Sequence, residues 1–556
     1  MENSSKNLIL AIVLSCIVIY GVRYFFPHQE AEITERQPIE QVAEINQPKS
    51  KQVEEKNTII LSTQEALDLN SRASVNNDAV DGSIRIRGSR LDNLFLSRYR
   101  QTIDKDSPNV ELLRPAKTIA PYYTEFGWTA IDRTIEVPTN DTLWLVKNSK
   151  LTPDTPLIFE WKNSQGIKFI RKISVDNDYM FTIEQTVENN SKREIVLYPY
   201  GLINKTLQAS NSRAGVVHEG FIGVLNSKLV EEKYSTITDD GKLSFETQGG
   251  WAGFSDRYWF TSIIFDKQST SKVNFSNTND NTFQTDFIGE AYKIAPNSII
   301  SNSVMLFAGA KEIRLIDRYA RDLGITKFDL AIDFGWYYFL TKPFFYILEF
   351  LYNFIGNMGW AIIVFAALLR LVMYPVASKS YESMSKMKKI QPKVQELQEK
   401  FKDDKVRLQQ ETMALYRKEK VNPAAGCLPL VIQIPVFFSL YKVLNIAIEI
   451  RHAPFIGWIK DLSAPDPMTI SVMTGLPVPS LLDIGLWPII MGITMYIQQK
   501  LNPAPTNKDQ ARVFAMMPII FTFMMGHFAS GLVIYWTLSN VLSILQQRAI
   551  MKKNGV

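Results

Sequence analysis

This 556-residue chain lacks the signatures of catalysis. Its four histidines, His28, His218, His452 and His527, stand isolated, and neither an HExxH nor a GxSxG pattern occurs. No glycine-rich phosphate loop with a following lysine is present either. Zinc-protease, serine-hydrolase and phosphate-loop chemistries therefore have no residues to act through, and no enzyme activity, cofactor or metal is expected. Cysteine is nearly missing: Cys16 and Cys427 each lie in or at the edge of an apolar segment, which excludes a disulfide framework and a cysteine-built metal site. Asp461 and Asp466, in Trp458-Ile-Lys-Asp-Leu-Ser-Ala-Pro-Asp-Pro467, have the spacing of ordinary loop caps.

What is present is unevenly spread. The 61 Lys+Arg and 56 Asp+Glu divide so that residues from Trp336 onward carry 23 basic and 13 acidic side chains, leaving the first part mildly acidic. Long uncharged runs occupy the amino end and the last 200 or so residues, and the length exceeds one compact domain. The chain reads as a membrane protein with a large soluble insert. Leu8 to Phe26 is longer than a signal-peptide core and is followed by no small-residue cleavage site, so residues 1–26 are expected to form an uncleaved anchor. Residues 27–77, rich in Glu, Gln, Lys, Asn and Ser, bury too little apolar area to offset ordering entropy and read as a disordered linker.

Residues 78–325 switch to short segments with a period of two, such as Ser83-Ile-Arg-Ile-Arg, Ile131-Asp-Arg-Thr-Ile-Glu-Val, Phe169-Ile-Arg-Lys-Ile-Ser-Val, Met180-Phe-Thr-Ile-Glu-Gln-Thr-Val and Ile195-Val-Leu-Tyr. Asn, Asp, Gly and Ser clusters separate them, the pattern of a large antiparallel β-sandwich. A helical signal over 312–324 closes this region. Residues 326–356 are aromatic throughout but broken by Lys342, Pro343 and Glu349, which suits a membrane surface better than its centre.

Five further spans are expected at about 359–374, 426–448, 481–498, 513–528 and 530–547, six with the anchor. The loop 377–425 carries 12 basic against 7 acidic residues, whereas 449–480 carries only Arg451 and Lys460 as basic groups. By the rule that cytoplasmic loops are the basic ones, both termini are cytoplasmic and the β domain lies outside. Within the second span, Trp360-Ala-Ile-Ile-Val-Phe-Ala-Ala-Leu-Leu-Arg370-Leu-Val-Met-Tyr-Pro375 is uncharged but for Arg370. A guanidinium at bilayer depth costs roughly 2.5 to 3.5 kcal/mol on insertion scales, so it either snorkels or faces water, a partner or a substrate. Counted back from Pro375 and Ser378, it lies roughly 8 to 12 Å deep on the cytoplasmic side.

Polar residues recur in the other spans: Gln433, Thr494, Gln498, Gln499, Ser539 and Asn540. In hydrocarbon such groups seek partners and are expected to point inward, where with Arg370 they would line a wet cavity open to the cytoplasm. No formal charge occurs from Val513 to Gln547, and Gly526-His-Phe-Ala-Ser-Gly531 divides that stretch into two arms shorter than the roughly 20 residues a bilayer asks for, which implies a locally thin membrane. In the basic loop, Met387, Ile390, Val394, Leu397 and Phe401 recur at spacings of three and four, and Leu408, Thr412 and Leu415 follow after Asp403-Asp404. This reads as an antiparallel helical hairpin with one apolar seam, 378–421, with Pro392 kinking the first arm or marking its start.

The run Asn422-Pro-Ala-Ala-Gly-Cys-Leu-Pro-Leu-Val-Ile-Gln-Ile-Pro-Val-Phe-Phe-Ser-Leu-Tyr441 closely resembles the third span of the YidC/Oxa/Alb membrane insertases. So do Arg370-Leu-Val-Met-Tyr-Pro375, Trp458-Ile-Lys-Asp-Leu-Ser463, Asp466-Pro467 and Gly531-Leu-Val-Ile-Tyr-Trp-Thr-Leu-Ser-Asn540, in the right order over roughly 334–547. The anchor with an outer β domain looks like the Gram-negative bacterial form, by architecture more than by motif. The resemblance implies an α-helical polytopic membrane protein: six spans, a five-helix insertase core (357–547), a large periplasmic antiparallel β-sandwich, a cytoplasmic helical hairpin and a basic cytoplasmic tail (548–556). It further implies a hydrophilic groove open to the cytoplasm and lipid, with Arg370 as its arginine and Gln433, Gln498, Tyr535, Trp536 and Asn540 lining or bordering it. Ala366 stands where members often carry a polar residue one turn before the arginine.

The implied function is insertion and folding of nascent inner-membrane proteins, alone or beside the Sec translocon. The ribosome and targeting factors are expected on the basic hairpin and tail, membrane lipid around the groove, and no DNA. A solute or anion transporter using Arg370 is the competing reading, which inverted repeats among the spans would favour. A membrane-bound glycan enzyme built on the β domain is a third, although a sandwich related to sugar-binding folds gives no sugar activity by itself.

Overall fold

A computed structural model describes residues 60–208, 217–279, 281–402, 404–419, 421, 428–503 and 508–555. The expected anchor, most of the linker and the Asn422–Cys427 part of the third-span motif lie outside the described residues. The chain divides into two units, Met1–Trp336 and Tyr337–Val556.

The first unit is a sandwich of two sheets. One runs in the order Lys242–Gln248, Thr270–Asn279, Thr282–Gly289, Ile195–Thr206, Tyr122–Thr129, Arg90–Arg100, Val80–Arg85, Arg72–Asn76, Lys150–Leu151. The other runs Lys228–Lys233, Gly220–Leu225, Trp251–Ser255, Trp259–Ile264, Ser298–Ala310, Met180–Asn189, Ile167–Val175, Leu157–Lys162, Leu145–Val146. Neighbours pair antiparallel except Arg72–Asn76 with Lys150–Leu151. Alternation sets the inner face: in Ile167–Val175, Ile167, Phe169, Arg171, Ile173 and Val175 are buried and the residues between them are not. Rings from both sheets meet in the core. Phe221 stacks on Phe275 with centroids 4.9 Å apart and touches Phe254 at 4.7 Å. Each such ring contributes roughly 2 to 3 kcal/mol by burial.

Two arginines buried in this core find polar partners. Arg90 bonds Glu125 and lies over the Tyr123 ring at 4.1 Å. Arg171 has no acidic partner; it donates to the carbonyls of Phe126 and Ser89 and to Gln185 Oε1 at 3.2 Å, against the Trp144 ring. Burial pushes its guanidinium down to about 10, still charged at neutral pH.

Order begins earlier than the expected linker boundary at 77. A helix, α1 (Thr63–Asp68), is closed by a reciprocal Ser62–Glu65 capping box, and the first sheet starts at Arg72. Ile131–Val137 is not a strand. Asp132 Oδ1 accepts from Thr134 N at 2.9 Å and Thr134 Oγ1 at 2.7 Å, turning the chain locally and leaving Ile131 exposed. A second short helix, α2 (Tyr234–Asp240), precedes Lys242–Gln248. The helical signal over 312–324 forms as α3 (Ile313–Asp322), burying Ile313, Leu315, Ile316 and Tyr319 and followed by Gly324 at φ +61°. Phe328 then packs among Trp251, Phe260 and Phe307, so the expected surface segment 326–356 is divided between the two units.

The second unit is helical. In α4 (Tyr338–Ile355), Thr341, Phe344, Phe345, Leu348 and Leu351 are buried, whereas Phe339, Phe350 and Phe354 face outward. Asn357 accepts from Trp360 N at 3.1 Å and caps α5 (Met358–Lys400). This helix is long and apolar enough to cross a membrane, and it runs unbroken through Pro375 and Pro392 into the first arm of the hairpin. The hairpin therefore does not begin at 378, nor at Pro392. Ala377, Tyr381 and Met384 pack with Ile550 from the far end of the chain, holding the helix together where it would end.

The second arm is α6 (Lys405–Lys418). Ile390 and Val394 are buried, Met387, Leu397, Phe401, Leu408, Thr412 and Leu415 are half-buried, and Lys393 bonds Glu419 at 2.9 Å. The remaining helices are α7 (Leu428–Ile446), the short α8 (Ile470–Thr474), α9 (Leu486–Leu501), α10 (Lys508–Met525) and α11 (Ser530–Lys553). Two boundaries depart from expectation. Residues 481–485 belong to a loop, because Ile470 and Leu486 exchange backbone bonds with Ile484 and Met468 there. The expected basic tail after 547 continues α11 as helix to Lys553, and Ile550 and Met551 are drawn into packing.

Candidate functional site

The site is assembled on α11. Tyr535, Ser539 and Ser543 recur every four residues and so share one stripe of that helix. Arg370, projecting from α5, donates through Nη2 to the Ser539 carbonyl at 2.9 Å and to the hydroxyls of Ser539, at 3.4 Å, and Ser543. The guanidinium is half-buried and has hydrogen-bond acceptors but no carboxylate among these contacts. Ser543 Oγ also donates to the Ser539 carbonyl at 2.7 Å, which orients its lone pairs toward the cation. Further along the same stripe Tyr535 is buried, and Gln433 Nε2 of α7 donates to its hydroxyl at 3.0 Å. Three helices are thus joined through polar side chains on one line.

The six expected groove residues do not form one cluster. Arg370, Gln433 and Tyr535 lie on the stripe just described. Asn540 lies on the side of α11 toward α9, where its Nδ2 donates to Thr494 Oγ1 at 3.2 Å, and Gln547 continues that line to Asn502 Oδ1 at 3.1 Å. Gln498 is half-buried one turn beyond Thr494 on α9. Trp536 is apolar in its contacts, edge-on to Phe437 at 4.7 Å and tilted against Phe521 at 5.7 Å. Ala366 is buried one turn before Arg370, so no polar side chain enters there.

The sequence reading missed Ser543, Gln546 and Tyr374. Gln546 Nε2 donates to the Tyr374 carbonyl at 3.3 Å and to Ser378 Oγ at 3.1 Å, one turn beyond the arginine. Their signal was present in the four-residue spacing of Ser539 and Ser543 and in the paired glutamines 546–547. Lys442, inside the expected third span, was passed over as well; it is half-buried on α7.

The opposite end of the unit is closed by a stitched loop. Ser530 N and Oγ both donate to the Ala464 carbonyl, at 2.8 and 2.5 Å, and Gly531 N donates to Leu462 at 3.0 Å. Asp461 accepts from His452 N, Ser463 N and Ser463 Oγ at 2.7 to 3.1 Å, a loop cap as its spacing suggested. Gly492 brings α9 against α10: a β-carbon there would stand 1.9 Å from Thr522 Oγ1. Among the described residues no group of three or more His, Cys, Asp or Glu side chains converges.

Comparison with known proteins agrees with this architecture. Residues 350–555 match the 60Kd inner membrane protein family and residues 72–347 match the YidC periplasmic domain. Relatives named membrane protein insertase YidC include one from Beijerinckia indica, 44% identical over all of this chain and 97% of its own length. Another, from Rickettsia bellii, is 42% identical over 99% of this chain and all of its own. Among solved structures, an active YidC insertase with its first transmembrane domain resolved matches at 18% identity and TM-score 0.36, covering 85% of this chain and 91% of that one. A galactose mutarotase-like protein from Lactobacillus casei matches at 9% identity and TM-score 0.30, covering 43% of this chain and 99% of its own. By full-length identity, and by two domain matches that together take in both units, the chain belongs to the YidC family of membrane protein insertases.

Proposed function

We propose that the stripe on α11 is where a nascent membrane protein is received. The observation that carries this reading is Arg370, whose charge meets only hydroxyls and a carbonyl in its recorded contacts. Such partners hold the guanidinium in place without neutralising it. A polar or acidic segment approaching from the cytoplasmic side meets an intact positive charge, with the Gln433 and Tyr535 dipoles ahead of it. The apolar part of the substrate leaves into lipid, driven by roughly 25 cal/mol for each Å² of apolar surface removed from water. No nucleotide is consumed.

The finer arrangement follows the same reading. Six spans, counting the amino-terminal anchor, place both termini in the cytoplasm and the β-sandwich in the periplasm. The hairpin of α5 and α6, with Ile390 and Val394 in its seam and Lys and Arg outside, receives substrates and meets ribosome or targeting factors; the Sec translocon is a second partner, and folding assistance a second role. The basic loop 377–425 supports this orientation.

Site-specific photocrosslinking from Arg370, Gln433 and Tyr535 to a ribosome-stalled nascent membrane protein tests the assignment. Adducts are expected from Arg370 and Gln433 and are expected to weaken toward Trp536. Absence of adducts from all three stripe positions overturns it.

A further inference from the structure

From Ser463 to Gln499 the chain carries two acidic side chains, Asp466 and Asp483, and no basic one. Both carboxylates are occupied within the loop. Asp466, 3% exposed, accepts from Trp458 Nε1 at 2.9 Å, Met468 N at 3.0 Å and Trp487 N at 2.8 Å. Asp483 accepts from Ser471 N at 2.8 Å and Ser471 Oγ at 2.6 Å. The backbone is similarly self-sufficient. Ile470 N bonds the Ile484 carbonyl at 3.1 Å, Leu486 N bonds Met468 at 3.0 Å, and Met473 N and Gly475 N bond back to Thr469 and Ser471 at 2.9 and 2.8 Å. Pro477 and Pro479 have no N–H to satisfy.

What this loop turns outward is mainly apolar: Val472 is 62% exposed, Leu476 64% and Leu481 71%, with Met473 and Leu482 beside them and Thr474 and Ser480 as the polar exceptions, the Thr474 hydroxyl donating to the Ile470 carbonyl at 2.8 Å. Water-facing loops have the reverse arrangement, with polar residues outside. Non-regular backbone is tolerated in hydrocarbon only where its polar groups are satisfied internally, the condition these bonds largely meet. Helix length gives an independent reason. The 16 residues of α9 rise about 24 Å against roughly 30 Å of hydrocarbon. Lys500, its ammonium 4.7 Å from the Tyr496 ring, marks the headgroup level at one end. The missing length therefore falls at the Leu486 end, where the loop stands.

We infer that residues 472–482 form an apolar tip that enters the acyl chains of the adjacent leaflet, completing the crossing that α9 is too short to make. The occupant of this surface is phospholipid hydrocarbon. The inference rests on α9 spanning the membrane.

The test uses the full chain with Cys16 and Cys427 replaced by serine, reconstituted in phosphatidylethanolamine/phosphatidylglycerol vesicles. Single cysteines at Val472, Leu476 or Leu481 carry a polarity-sensitive fluorophore, and Ile493→Cys serves as the reference inside α9. Tip probes should emit in the blue, resist aqueous iodide, and be quenched more by a nitroxide near the carboxyl end of the acyl chain than by one near its methyl end. The Ile493 probe should show the opposite depth order. Leu476→Glu with Leu481→Glu should restore iodide quenching at Val472 and leave Ile493 unchanged. Iodide-quenched tip probes with a deep Ile493 overturn the lipid tip alone. Blue emission with no nitroxide quenching overturns it in favour of a protein cover. A shallow Ile493 overturns the spanning of α9 and the inference with it.

Discussion

At the scale of single residues, two cations, one half-buried and one buried, have opposite surroundings. Arg370 meets hydroxyls and a carbonyl, so its positive sign stays available. Arg370→Glu should lower insertion of substrates with acidic translocated tails about tenfold more than of neutral ones, the worth of one charge-assisted contact. Protease protection in proteoliposomes measures this, and equal losses would show that hydration rather than charge matters. Lys311 of the β-sandwich is 2% exposed and donates to Ser255 Oγ at 3.0 Å, with Asp256, Asp333, Glu219 and Glu231 as the nearby charges. Burial pushes its ammonium down from 10.5 to about 8, only partly opposed by those carboxylates. Folded chains therefore release the proton before unfolded ones do. The cost of the buried charge is fully present below pH 8 and fades as pH rises toward 10.5. Lys311→Met should abolish the gain in stability that the parent shows between pH 8 and 10, read by urea unfolding of tryptophan fluorescence. Lysine spacing in the sequence carries no hint of this, because burial of Lys311 depends on strands brought together from distant positions.

At the scale of elements, the hairpin shows which interaction dominates. Its seam buries Ile390 and Val394, while the Lys393–Glu419 pair at 2.9 Å is solvent-facing. Exposed pairs are worth about 0 to 1 kcal/mol, whereas a charge placed in an apolar seam costs several. Val394→Asp should open the hairpin to protease within minutes under conditions where Glu419→Ala leaves the digestion rate nearly unchanged. The reverse order would mean that the ion pair, not the seam, holds the arms. Of the expected seam residues Met387, Ile390, Val394, Leu397 and Phe401, the structure buries Ile390 and Val394 and leaves the other three half-buried. The hairpin's continuity with the preceding span was not legible, because Pro375 and Pro392 look like stops. The packing of Ala377, Tyr381 and Met384 against Ile550 decides otherwise. Likewise α9, at about 24 Å, is shorter than the last arm: α11 has 24 residues because contacts past Gln547 extend it.

At the scale of the whole molecule, two units with separate cores carry different loads. The sandwich interior is filled by aromatic rings from both sheets, whereas the polar stripe lies entirely on helices of the second unit. Removing residues 78–310 while keeping 312 onward should leave insertion of a small test protein largely intact; its loss would make the β domain part of the engine. By itself the sequence determined the β-rich and helical halves and the family, because period and motif are local or linear properties. Only tertiary structure decided which partners those residues take. Ser543 rather than a carboxylate meets Arg370, Tyr535 and Asn540 point along different stripes, and Ile131–Val137 becomes a turn. The Arg370–Ser543 and Gln433–Tyr535 pairings join residues 173 and 102 positions apart, and they are fixed by helix phase and packing, which no local pattern encodes.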